Sequence, residues 1–265
     1  MLPFLLSIMH DISRIKKFGL WIFLLAFFSV NISLILSQIF VFRELDVATP
    51  GNYFYDWKIF NIGDAIGEKG SDWIIPYIDG TSSISRVVRV FPNYLIFKPA
   101  MFLVGLFLIR YWLVNFKLIK ELNLELKIKE LKKMLFFGIA SAVFLIIHSI
   151  FLGIDFDNNF YKLFRRVILL FFIFFEITAQ FFLIKFFFNN SKKIDFLINK
   201  KILKIKKFLV YTLIIIALLI LPFLPFNNLK TLKHMLEWNY FLGVISFYLL
   251  TFFLWKKGTI NYKNL

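Results

Sequence analysis

Apolar residues run through this chain in long blocks, and its charges collect in short clusters between them. A hydrocarbon core takes roughly 20 apolar residues of helix to cross. Six stretches meet that length: Phe18–Phe42, Tyr94–Phe116, Met134–Ile154, Val167–Phe188, Phe208–Phe226 and Trp238–Trp255. The pattern predicts an all-α membrane protein, a bundle of six transmembrane helices forming one polytopic domain over residues 1–265. Tyr94, Tyr111, Trp112, Tyr211, Trp238 and Trp255 fall near the ends of these stretches. Amphipathic rings in such places are expected in the headgroup layers. Residues 43–92 are the one soluble-looking region, holding Tyr53, Phe54, Tyr55, Trp57, Phe60, Trp73 and Tyr77 among several glycines. Disordered linkers are poor in aromatics, and structureless loops of this length are uncommon. A folded outer cap is therefore expected there.

Orientation follows from the basic residues. One side of the six stretches collects 21 of the 32 Lys and Arg with five acids, and the other has 11 with ten. The positive-inside rule makes the richer side cytoplasmic and both termini internal. Phe18–Phe42 is longer than the apolar core of a signal peptide, and no small-residue cleavage site follows it, so none is expected. Met1–Met9 is apolar but too short to span, and is expected at the interface or against the bundle. On the basic side, Lys117–Lys133 pairs Lys117 with Glu121 and Glu125 with Lys129 at helical spacing, which extends the second span and turns back into the third. Ser191–Lys207 interleaves Lys with Ile, Leu and Phe, as a topology signal or a segment lying on an anionic leaflet.

Composition agrees. Hydrophobic residues make up 60% of the chain, against about 45–50% in soluble domains. Cysteine is absent, which excludes disulfides, thiolate metal sites and cysteine nucleophiles. The net charge of +16 sits at the ends of apolar segments and not on a soluble patch, so it does not point to nucleic acid. Heavy use of Lys, Ile, Phe and Asn suggests an AT-rich genome, and with it the inner (plasma) membrane of a bacterium.

The string Ile75-Pro76-Tyr77-Ile78-Asp79-Gly80-Thr81, just before the second span, resembles the P-x-I-S-D-T-G signature in the outer loop of the damage-regulated autophagy modulator (DRAM) superfamily. Glu237-Trp238 at the outer entrance of the last span, with Thr251 near its end, gives a second match. The serine before the aspartate is missing, and Ser85–Asn93 stands where that family usually has Pro-Glu. The resemblance implies six spans, internal termini, a long first outer loop and a lipid-associated, membrane-organising protein without an enzymatic reaction. It also implies a lipid headgroup held near Asp79, Gly80, Thr81, Glu237 and Trp238, with membrane lipids as the partners.

Ionisable groups inside a span are costly and are functional candidates by default. Glu176 lies near the middle of the fourth span, with Gln180 one turn on and Arg165 eleven residues back along the same face. His148 in the third span is expected within a turn or two of that depth, where a His–Glu pair could relay protons. Asn31 and Gln38 share a face of the first span, and Asn239, Gly243 and Ser246 form a small polar stripe on the last. Small residues and amides are what helices use to pack in lipid. His10 and His234 lie in regions on opposite sides, so a multi-histidine metal site is not expected, nor is a cofactor. No nucleophile elbow, phosphate loop or zinc-protease motif is present, and no catalytic residue is assigned. Two further readings stay open: a small proton-coupled transporter using Glu176, and a membrane-embedded lipid-modifying enzyme using His148, Glu176 or the outer acids.

Overall fold

The structure, a computed structural model, describes residues 2–38, 75–122, 128–152, 159–220 and 229–256. Most of the expected cap, residues 43–74, therefore lies outside the described residues. So do Asp155, Asp157, Pro222 and Pro225. The described elements are α1 (Leu2–Ser37), α2 (Pro76–Asp79), α3 (Ile84–Val88), α4 (Asn93–Glu121), α5 (Ile128–Phe151), α6 (Asn159–Asn189), α7 (Lys200–Ile220) and α8 (Lys230–Leu254). Apart from an isolated bridge between Ile198 and Trp255, all regular structure among the described residues is helical.

Five helices, α1, α4, α5, α6 and α8, are long and apolar enough to cross a membrane. The described part of α7 has 21 residues and carries Lys200, Lys201, Lys204, Lys206 and Lys207 in its first half. The apolar stretch predicted for it, Phe208–Phe226, runs on into residues outside the described set.

The helices are longer than the apolar stretches that predict them. Hydropathy marks only what lipid can hold, whereas hydrogen bonding continues through flanks rich in Lys, Glu and Leu, which are good helix formers. α1 gains length in another way, by adding an apolar stretch too short to span. Its 36 residues absorb Met1–Met9, from Leu2 onward, into the same helix as the first predicted span. At 1.5 Å per residue it is about 54 Å long, well over the roughly 30 Å of a hydrocarbon core. Its lower part is docked: Ile8, Ile12 and Ile15 are buried, and Ser7 hydrogen-bonds Glu121 at the end of α4.

The six long helices close a ring. Each packs on the next in chain order, α1 on α4, then α5, α6, α7 and α8, and α8 returns to α1. Ile8, Ile12, Ile15, Ile22, Ala26 and Val30 recur at helical spacing and turn inward, while Trp21, Phe28 and Ile35 face outward. Outward apolar side chains are what a lipid environment leaves in place, since lipid is as apolar as the core. Helices approach closely at small residues. A Cβ on Gly138 of α5 would stand 2.4 Å from the Trp112 ring of α4.

The aromatic belt expected at the helix ends is largely internal. Tyr111, Trp112 and Trp238 are fully buried, and Trp255 nearly so, whereas Tyr211 is exposed. The rings sit near the ends of the apolar stretches but on the inward faces of their helices, and Trp255 directly follows the last residue of α8. Ser191–Lys207 also departs from a segment lying on a leaflet. Ile194, Leu197 and Ile198 are buried, and the backbone joins the end of α8 through Asn199 N–H to Leu254 O (2.8 Å) and Lys256 N–H to Leu197 O (2.9 Å).

Candidate functional site

A polar chain runs through the interior of the ring. Glu176, buried on α6, accepts hydrogen bonds from Ser141 Oγ of α5 (2.7 Å), from Gln180 Nε2 (2.8 Å) and from the Tyr248 hydroxyl of α8. The indole of Trp112 on α4 lies near enough to weigh on the same carboxylate without making a formed hydrogen bond. The Tyr248 ring meets Tyr111 of α4 edge to face at 5.0 Å. Tyr111 Oη pairs with Thr251 Oγ1 of α8 at 3.1 Å, and Lys206 Nζ of α7 donates to that same oxygen at 2.6 Å. Lys206 is fully buried, with its ammonium 3.7 Å from the centre of the Phe247 ring. Five helices thus contribute to one string of titratable and hydroxyl groups. Its members can hold a proton at a carboxylate, a phenol or an amine, and can tie the ring together.

His148 does not belong to this string. Ser141 lies opposite Glu176, so His148, seven residues farther along α5, stands about 10 Å nearer the end that carries α2 and α3. There it meets Arg165, which acts on it electrostatically and stacks over the Tyr161 ring at 5.3 Å. His148 is thus within the two turns of Glu176 expected for it, but the antiparallel register of α5 and α6 sets it level with Arg165 instead. Gln180 is where the sequence puts it, one turn from Glu176.

The two strings read as a resemblance meet at the α2–α3 end. Asp79 closes its own turn: Oδ2 accepts from Ile75 N–H (2.6 Å), and Oδ1 accepts from Thr81 N–H (2.9 Å) and Thr81 Oγ1 (2.7 Å). Gly80 follows at φ 61°, and a Cβ there would stand 2.0 Å from Thr231 O of α8. Both the left-handed backbone and the close approach require glycine. From α8, His234 Nδ1 donates to Gly80 O (3.1 Å), Trp238 Nε1 to Ser82 O (2.8 Å) and Asn239 Nδ2 to Tyr77 O (2.8 Å). Glu237 accepts from the N–H groups of Ser85 and Ile84 at the start of α3. Tyr77 packs on Trp238 with ring centres 4.9 Å apart, and its hydroxyl donates to Asn31 of α1 at 3.1 Å. Its burial pushes the Tyr77 phenol above its ordinary value. Asp79, Gly80, Thr81, Glu237 and Trp238 therefore belong to one clip, in which both carboxylates accept hydrogen bonds from the chain's own N–H and O–H groups.

Sequence reasoning missed Lys206 and Asp11, both counted only as basic-side charges. A signal was present. Leu203, Val210 and Leu213 flank Lys206 at three, four and seven positions and are buried with it on one face of α7. Asp11 lies between Ile8 and Ile15 on the buried face of α1, 2.9 Å from Lys117 Nζ and 3.7 Å from Arg14. Among the described residues no group of three or more His, Asp or Glu side chains is placed to hold a metal ion. Comparison with known proteins finds no matching family model, no matching curated protein and no matching solved structure.

Proposed function

We propose that this chain is a lipid-associated, membrane-organising protein without enzymatic activity, in the inner membrane of a bacterium. In this reading α7 joins the other five as the sixth span, both termini are cytoplasmic, and residues 43–92 form the outer cap. The observation that carries it is the convergence of Ile75–Thr81 and Glu237-Trp238, which lie more than 150 positions apart, in a single hydrogen-bonded clip. These are the two strings on which the resemblance to the DRAM superfamily rests. The clip holds the last part of the outer segment over the bundle and shapes the surface that a lipid meets.

The test is lipid analysis of a strain lacking the chain, with identification of lipid retained by the purified protein. Altered membrane composition and retained lipid, lost on Trp238→Ala, are the expected results. Unchanged composition with no retained lipid would end this reading.

A second reading, proton-coupled transport through Glu176, is favoured by the buried string that links Glu176 by way of Tyr248, Tyr111 and Thr251 to Lys206. It expects proton-dependent solute uptake into proteoliposomes that Glu176→Gln abolishes. Uptake that survives Glu176→Gln would remove it.

A further inference from the structure

Among the described residues, the end of α5 that faces α2 and α3 carries positive charge without a matching acid. Arg165 and Arg166 on α6 and Lys98 on α4 surround it, and among the described residues none of them forms an ion pair with a carboxylate. The polar contacts of the first and third are known. Arg165 lies over the Tyr161 ring, and Lys98 donates to the Ile150 carbonyl at 3.4 Å. Tyr161 is itself fixed, since its hydroxyl donates to Phe151 O at 2.6 Å.

Two nitrogen atoms within this group are buried and unpartnered, His148 Nδ1 and Arg165 Nε. The register of α5 against α6 sets them level with each other. Phe151 meets Tyr161 and Phe164, Phe144 meets Phe171, and Ser141 meets Glu176, so His148 faces the turn that holds Arg165. A buried guanidinium N–H without an acceptor is costly, and such groups are rarely left so. His148 sits three residues before the end of α5, about 4.5 Å below it, and Arg165 six residues into α6, about 9 Å below its start. Both side chains thus belong to the last two turns at this end of the bundle. One chemistry satisfies both atoms and the surplus charge together. An anion with several acceptor oxygens takes the Arg165 N–H groups and an Nδ1–H from His148, and phosphate is the anion that guanidinium binds best in this way.

We propose that Arg165 and His148 form a binding site for a phosphate group, supplied by the headgroup of an anionic lipid, between the ends of α5 and α6. The lipid source rests on the lipid-associated reading above; the anion site itself does not.

The experiment uses the full chain, purified in neutral detergent and titrated separately with dihexanoyl phosphatidylglycerol and with inorganic phosphate. The expected result is one-to-one binding of phosphatidylglycerol, weakened about tenfold or more in Arg165→Gln, or about 1.4 kcal/mol. Lys201→Gln, at an exposed position at the opposite end of the bundle, should bind like the wild type. Binding of inorganic phosphate that depends equally on Arg165 supports the site and assigns it to soluble phosphate, even if no lipid co-purifies. Should Arg165→Gln fail to fold, Arg165→Lys carries the test, because it keeps the charge and loses the Nε–H. Unchanged affinity in that variant would overturn the site. So would the absence of Arg165-dependent binding of either probe. Binding that appears only after Asp155 and Asp157 are both changed to Asn would overturn it too, since the occupant would then be the chain's own carboxylate.

Discussion

The Thr251 hydroxyl accepts from Lys206, pairs with Tyr111 and donates to Phe247 O at 3.0 Å, all out of reach of water. Thr251→Val keeps the shape and removes the acceptor, leaving the buried Lys206 Nζ with only an aromatic face. The expected cost is about 1–3 kcal/mol. Adding Lys206→Met should recover most of it, because replacing both partners of a buried polar contact with apolar groups is nearly neutral. Denaturation midpoints in detergent for the two single variants and the double check this, and simple additivity would contradict it. Gly80→Ala is expected to be worse than either, since its backbone is left-handed and its Cβ would meet the Thr231 carbonyl at 2.0 Å. Faster proteolysis within residues 75–90 measures that release of the clip. At this scale the sequence was readable only in part. Glu176 announced itself as a lone acid in an apolar run. Lys206 was hidden among seven other basic residues of its neighbourhood, and only the spacing of its buried neighbours set it apart.

Helix contacts depend on where side chains are missing. Gly138→Ala places a methyl group against the rigid Trp112 ring, so α4 and α5 must separate or the ring must move. Overpacking of this kind costs about 1–3 kcal/mol, and a lowered denaturation midpoint with Trp112 fluorescence shifted to longer wavelength is the expected outcome. A second device sits between α6 and α7. Lys200 Nζ lies 2.6 Å from Asp195 Oδ2 and holds that carboxyl below its ordinary range, while Lys256 Nζ donates to the Asp195 carbonyl. A depressed carboxylate contributes at neutral pH and loses its contribution as pH falls through its folded value. Because the pair is exposed, the effect is small. Amide exchange at Asn199 and Lys256 should differ slightly between the wild type and Asp195→Asn at pH 7, and the difference should vanish in acid. A difference that grows in acid would contradict it. The helices themselves were legible from apolar length. Their ends were not, because the flanks of α4, α5 and α7 are helical without being apolar, and hydropathy reports solvent and not hydrogen bonding.

For the molecule as a whole, the proposed orientation has a direct check that the composition makes easy. With no native cysteine, a single cysteine at any position is the only thiol in the chain. Substitutions at Lys193 and Lys263 should react with an impermeant maleimide only after the cells are opened, and one at Asn61 should react in intact cells. The reverse pattern would invert the topology. Two motifs flagged by resemblance in the sequence were legible as strings. Their union in one clip was not, because nothing in either string states that residues so far apart share a helix face. The ring also sets an order of events during synthesis. α8 is made after the seven other described helices, yet it supplies the neighbour of α1, the grip on α2 and α3, the phenol on Glu176 and the hydroxyl on Lys206. At about 5–20 residues per second, α1 waits roughly 10–40 s for its final partner. During that interval Glu176 lacks its Tyr248 donor and Lys206 its Thr251 acceptor. A nascent chain halted before residue 230 should therefore be held by insertion factors and degraded on release, which makes α8 the checkpoint for quality control in the membrane.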